Sequence, residues 1–244
     1  MLLYGLHSCI AALNNPERVV EKIYVTDKKL IERLPPTATG AARKNVELTS
    51  KEKLAALLPK DAVHQGIALN VQTLHPLDLS DLLHSDEPNQ ILVILDQVSD
   101  PHNIGAILRT AAVFGAKALI LTDRHAPKET PTLAKSASGA LEHVPLCFVK
   151  NLAQSLKDIK EAGFWCVAFA EEATKTLNQI DLKGKIALVL GAEGDGLRRL
   201  TSENCDFYVK LQSASTFSTL NVSNAAAIAL YETFQQQRAN LIKG

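Results

Sequence analysis

Apolar positions along this chain follow two rhythms. In the first 75 residues they come in short bursts. Residues 22–26, 46–48 and 67–71 read as brief strands, and helical spacing recurs near 7–13, 29–34 and 51–58. The break between the first strand–helix pair and the next is Pro35-Pro36-Thr-Ala-Thr-Gly40, a run of turn-forming residues. From residue 91 onward the bursts become continuous. Residues 91–95, 118–121, 164–169 and 186–190 are apolar without alternation, as strands covered on both faces of a parallel sheet should be. Helical spacing alternates with them at 104–114, 152–162 and 221–237. The stretch from His75 to Gln90 is polar, carries Pro76 and Pro88, and reads as a linker with one helical turn at 79–83.

This pattern predicts an α/β fold in two α/β units: a small domain at 1–75, a linker at 76–90 and a larger domain at 91–244 with a mostly parallel sheet. Such sheets bind ligands at the carboxyl ends of their strands. Chemistry is therefore expected in the loops that follow Leu95, Leu190 and Leu211.

Composition narrows the field. Twenty-six basic residues balance 26 acidic ones, so the chain as a whole is not a generic polyanion binder. The balance is uneven, because residues 1–75 hold ten Lys and Arg against seven Asp and Glu. A mildly basic front domain suits contact with RNA. No apolar run is long enough for a membrane-spanning helix, and the start lacks the features of a signal peptide, so a cytoplasmic protein is expected. Cys9, Cys147, Cys166 and Cys205 are scattered without a C-x-x-C pair, and the seven histidines show no ligand spacing. Buried reduced thiols and no metal site are the expectation.

Three loops hold the polar residues that could do chemistry. After residue 95 comes Asp96-Gln-Val-Ser-Asp-Pro-His-Asn-Ile-Gly-Ala-Ile-Leu-Arg109. Asn103 fits a helix N-cap. Arg109 fits two roles, a fork for phosphate or carboxylate or a surface salt bridge with an acid such as Asp100. After residue 190 comes Gly191-Ala-Glu-Gly-Asp-Gly196, where glycines suggest backbone N–H groups lying close to a ligand. Its spacing is neither the dinucleotide fingerprint nor a P-loop, which argues against a dehydrogenase. After residue 211, hydroxyl residues crowd around Asn221 ahead of an alanine-rich helix. N-capping by Asn221 or Ser223 explains one of them but not the cluster.

Taken together, these loops resemble the three signature motifs of the SpoU (TrmH) family of RNA ribose 2′-O-methyltransferases, in the SPOUT superfamily. The motifs stand here as Asn103-Ile-Gly-Ala-Ile-Leu-Arg109, Leu188-Val-Leu-Gly-Ala-Glu-Gly-Asp-Gly-Leu-Arg198 and Ser218-Thr-Leu-Asn-Val-Ser-Asn-Ala225. Leu3-Tyr-Gly-Leu-His-Ser8 and Ser136-Ala-Ser-Gly-Ala-Leu-Glu-His-Val-Pro145 extend the likeness towards bacterial members that modify a guanosine of 23S rRNA. The resemblance implies an L30e-like RNA-binding domain at 1–75, a catalytic domain with a carboxyl-terminal trefoil knot, and a homodimer. A knot runs against the general rules of chain topology, and periodicity alone gives an ordinary doubly wound sheet. The implied cofactor is S-adenosylmethionine, lined by Gly191, Leu211 and Leu220. The implied catalytic group is Asn103, Arg109, Glu193, Thr219 and Asn221, with Thr219 where the family usually has serine. The implied reaction is methylation of a guanosine ribose in the peptidyl-transferase P-loop of 23S rRNA. A tRNA 2′-O-methyltransferase and an RNA-binding assembly factor without catalysis are the alternatives.

Overall fold

The computed structural model describes residues 1–36, 45–124, 127–214 and 220–241. In chain order the elements are β1 (Leu2–Tyr4), α1 (Leu6–Asn14), β2 (Val20–Val25), α2 (Lys28–Glu32), β3 (Val46–Leu48), α3 (Lys51–Ala56) and β4 (Ile67–Val71). There follow α4 (Leu79–Leu83), β5 (Gln90–Asp96), α5 (Pro101–Val113), β6 (Ala118–Thr122), α6 (Pro131–Ala137), β7 (Leu146–Val149), α7 (Leu152–Glu161) and β8 (Trp165–Phe169). The chain continues through β9 (Lys175–Thr176), β10 (Lys185–Gly191), α8 (Arg199–Glu203) and β11 (Phe207–Lys210) to α9 (Val222–Leu241).

Two compact units emerge, and their division differs from the expected one. The first joins residues 1–75 to 127–143, and the second joins 76–126 to 144–244. The first unit holds a four-stranded mixed sheet in the order β1-β4-β2-β3. Segment 127–143 belongs to it because charge and packing tie it there. Arg18, its side chain wholly buried, reaches Glu129 Oε1 and Glu142 Oε1, each at 2.7 Å, and donates from NH1 to the Gln72 carbonyl at 2.9 Å. Glu142 also accepts from Asn15 Nδ2 at 2.7 Å, and Glu129 from the Leu74 amide at 2.7 Å. Burial alone would lower the Arg18 pKa, but its hydrogen bonds to Glu142 and its ion pair with Glu129 outweigh that and hold it above the ordinary value. The helix α6 then buries Leu133, Ala134 and Ala137.

Residues 76–90, expected to be a linker, are packed into the second unit. The Leu77 amide donates to the Leu146 carbonyl, and Leu82 lies in the core beside Leu92, Ile94 and Leu156. The second unit's sheet runs β7-β6-β5-β10-β8-β11-β9, and every pairing in it is parallel. All seven residues of β5 are buried, as are all five of β6, which is why their sequence shows no alternation. The four cysteines are free and buried. Burial pushes the Cys9 and Cys205 thiols up to about 12 and Cys147 to about 11, far from thiolate chemistry at neutral pH. Among the described residues no group of three or more His, Cys, Asp and Glu could hold a metal ion, and no helix is long and apolar enough to cross a membrane.

Replacing Arg18 by Ala would strand two buried carboxylates. Loss of one partner in a buried ion pair costs about 3–5 kcal/mol, so urea unfolding of Arg18→Ala should lose stability of that order. A change under about 1 kcal/mol would mean the cluster is solvated.

Candidate functional site

The site is built where β5 and β10 end. These strands pair in parallel from Gln90 opposite Lys185 to Asp96 opposite Gly191. Two loops distant in sequence therefore leave the sheet side by side. The first passes through Gln97, whose backbone is left-handed at φ 61°, into α5. Asp100, and not the expected Asn103, caps that helix: its side chain accepts from the His102 amide, and Pro101 follows at the first helical position. Asn103 is thereby placed in the first turn with its amide free for another partner. Arg109 stands six residues on, about 9 Å further along the helix, on its exposed side. The salt bridge with Asp100 does not form, and no acid among the described residues pairs with Arg109.

The second loop, 191–198, closes on itself. Ala192 and Gly196 form an antiparallel bridge, and the Gly196 amide donates to the Ala192 carbonyl at 3.0 Å. A Cβ on Gly191 would stand 2.2 Å from the carbonyl carbon of Gly196, so the loop admits no side chain there. Gly196 itself needs glycine for its φ of 65°. The loop's own turn thus asks for glycine at both positions, at Gly191 for space and at Gly196 for backbone conformation. Arg198 ends the loop at Asp96, whose side chain is fully buried. Its Nε and NH2 meet Asp96 Oδ1 at 2.7 and 2.6 Å, and its amide donates to Oδ2 at 3.1 Å.

The third element is the start of α9. Asn221 caps it: Oδ1 accepts from the Ser223 amide at 2.9 Å, and the backbone carbonyl accepts from Asn224 and Ala225. The other end of the same amide donates from Nδ2 to Glu193 Oε1 at 2.5 Å and to Asn103 Oδ1 at 3.0 Å. Glu193 also accepts from the Val222 amide at 3.2 Å. Its carboxylate therefore sits on the amino end of a 20-residue helix, where the helix dipole favours negative charge. Asn103, Glu193 and Asn221, expected from three separate motifs, are joined by one amide group. Arg109 is on the same helix as Asn103 but forms no hydrogen bond with the three. Gly191 closes β10, Leu211 is half-buried just past β11, and Leu220 is exposed beside Asn221. Thr219 lies outside the described residues. The Asp96–Arg198 pair was missed in sequence; its one visible signal is an acid closing an otherwise apolar run.

Comparison with known proteins places these features in a family. The description "SpoU rRNA Methylase family" matches residues 90–231, and "RNA 2'-O ribose methyltransferase substrate binding" matches 2–77. The chain is 38% identical to the 23S rRNA (guanosine-2'-O-)-methyltransferase RlmB of Pseudomonas putida, over 97% of this chain and 96% of that one. It is 41% identical to RlmB of Vibrio cholerae, over 98% of each. Among solved structures, the SpoU methyltransferase AviRb from Streptomyces viridochromogenes superposes with a TM-score of 0.83 at 22% identity, over 98% of this chain and 90% of that one. The structure described as "A. aeolicus TrmH/SpoU tRNA modifying enzyme" matches 66% of this chain and 82% of its own, with a TM-score of 0.56 at 26% identity.

The two roles of Asn221 separate by substitution. Asn221→Ala removes the cap and should cost about 1 kcal/mol of stability, within the usual range of 0.5–2. Asn221→Ser restores a capping oxygen and should recover most of that loss in denaturant unfolding. Equal loss in both variants would show that the Nδ2 bonds, not the cap, carry the stability.

Proposed function

The chain belongs to the SpoU rRNA methylase family, and from that footing we propose that it transfers a methyl group from S-adenosylmethionine to the ribose 2′-oxygen of a guanosine in 23S rRNA. The carrying observation is the Asn221 amide, which links the polar residues of all three motifs on one spot at the strand ends. RlmB relatives match across both units, whereas the tRNA-modifying enzyme matches two thirds of the chain. That contrast supports rRNA over tRNA as substrate. The intact linkage argues against an assembly factor that has lost catalysis. Residues 1–75 would bind the RNA as an L30e-like domain, and the target would be the peptidyl-transferase P-loop. A cytoplasmic location follows from that substrate.

The residues present fit the cofactor. Leu220 and Leu211 offer apolar surface at the mouth of the loops, and a Cβ built on Gly196 would meet no atom of the described residues within 4 Å. Gly191, Leu211 and Leu220 would hold the cofactor through main-chain bonds and apolar packing. When bound, it supplies a methyl group on a sulfonium, open to in-line displacement without a metal. The protein's task is to hold the ribose oxygen in line, a service that can lower a barrier by roughly 7–11 kcal/mol. Asn221 and Glu193 orient the ribose, with Asn103 fixing the amide's second hydrogen. Arg109 is no base, because a guanidinium stays protonated. Its unpaired fork would grip the neighbouring RNA phosphate and stabilise the alkoxide as the proton leaves through phosphate or water. Thr219 would add a hydroxyl beside the ribose.

Two finer features complete the proposal. Val113, Ile228 and Tyr231 are 70, 45 and 51% exposed on α5 and α9, and Phe114 packs on Tyr231 and Phe234 between them. An apolar patch of that kind supports a homodimer across these helices. The insertion of β10 between β5 and β8, with β11 beyond β8, is a crossing pattern that suits the family's trefoil knot.

Purified protein should methylate an unmodified 23S rRNA fragment and leave tRNA untouched; the reverse would transfer the assignment to tRNA. Arg109→Lys, with charge but no fork, should lose about a hundredfold or more in kcat, and near-normal turnover would remove Arg109 from the site. A crystal structure with cofactor tests the finer features together, through an unthreaded backbone path or a solitary protomer.

A further inference from the structure

The loop that carries Glu193 has both feet on one residue. Its first foot is Gly191, the register partner of Asp96 in the β5–β10 pairing. Its second is Arg198, which makes three polar contacts with the Asp96 carboxylate: Nε at 2.7 Å, NH2 at 2.6 Å and the backbone amide at 3.1 Å. Between these feet the loop has little slack, since Gly196 packs against Gly191 more closely than any side chain would allow. Glu193 stands in that loop and reaches Asn221 and Val222 from it.

Asp96 is a costly way to close the loop. It ends a strand that is otherwise Ile-Leu-Val-Ile-Leu from 91 to 95, and its side chain is 0% exposed against 42% for Arg198. Burying a carboxylate costs several kcal/mol, and replacing a buried ion pair by apolar side chains of similar volume is often neutral or stabilising. Stability alone would favour an apolar pair. An ion pair with a forked, three-point contact fixes direction and distance in a way that apolar packing does not.

We infer that Asp96 and Arg198 are positioning residues for methyl transfer: their ion pair sets the loop 191–198 so that Glu193 meets Asn221. Neither touches the substrate in this role. The inference rests on the reading of the site as a ribose methyltransferase for its activity readout, and on geometry alone for its second readout.

The experiment compares Asp96→Leu/Arg198→Met and Arg198→Lys with the native chain. The double variant should keep the native Tm within a few degrees, because no charge is left buried and only the Arg198 amide loses its acceptor. At saturating cofactor its kcat on the 23S rRNA fragment should fall about tenfold or more, with KM for RNA within about threefold. Arg198→Lys keeps the charge but loses the fork, and should lose kcat in the same direction by less. Native kcat in both variants would overturn the inference. The second readout is amide hydrogen exchange at Val222, whose N–H bonds to the Glu193 carboxylate. In the double variant its protection should fall about tenfold or more, and unchanged protection would overturn the inference even if the native chain methylates no RNA. Should the double variant fail to fold, Arg198→Lys decides by the same two measurements.

Discussion

Seven parallel rungs join β5 to β10 and end with Asp96 opposite Gly191. Everything at the site hangs from that last rung. Parallel strands cannot be joined by a short hairpin, so the two neighbours come from segments nearly a hundred residues apart. Their carboxyl ends nonetheless open at the same level. One end feeds α5 with Asn103, and the other feeds the loop with Glu193. Slippage of a single residue would turn every side chain of one strand to the opposite face. The close-packed core on both faces of the two strands opposes it, since each side chain fits the space on its own side. Core packing, in this fold, is what fixes the distance between two catalytic-site candidates.

Two ionic clusters with buried carboxylates serve two different ends. Arg18, with Glu129 and Glu142, sits in the first unit, and its donors and acceptors are matched on several sides by backbone and side-chain partners. That cluster gathers a segment from far along the sequence into the smaller sheet. Among the described residues Asp96 and Arg198 are a closed pair, one carboxylate served by one residue. The first resembles a clasp between segments, and the second a stop that sets a loop. Sequence spacing reveals neither, because each joins residues more than a hundred positions apart.

Much of the second unit was legible in the sequence, and for a physical reason. Strands buried on both faces must be apolar throughout, so residues 91–95, 118–121 and 186–190 announced themselves to within a residue or two at each end. Among shorter strands the outcome was mixed: residues 46–48 were legible, whereas β1 and β11 were not. β1 has three residues, and β11 alternates exposure as Phe-Tyr-Val-Lys, too brief a run for periodicity to register. The helix α6 begins at a Thr-Pro, with Thr130 as its cap and Pro131 at the first helical position, a start signal carried by two residues alone. The division of the chain was misjudged at 127–143 because what holds that segment is the Arg18 cluster, a tertiary charge effect with no local signature. Asn103 was expected to cap α5. Asp100 won the position because Pro101 behind it takes the first helical place, which leaves Asn103 one turn in, free to meet Asn221.

Asn221 shows why weighing a capping role against a chemical one was a false choice. A primary amide has an acceptor at one end and two donors at the other. Here the acceptor satisfies an orphan amide of α9, and the donors take Glu193 and Asn103. The cap fixes the side chain's rotation, so the donors are aimed without further cost. In turn the helix start draws the Glu193 carboxylate towards the Val222 amide, and the dipole of α9 steadies that charge. A helix cap is a frequent and unremarkable use of asparagine. At the mouth of three loops, the same cap is what makes the amide a rigid instrument.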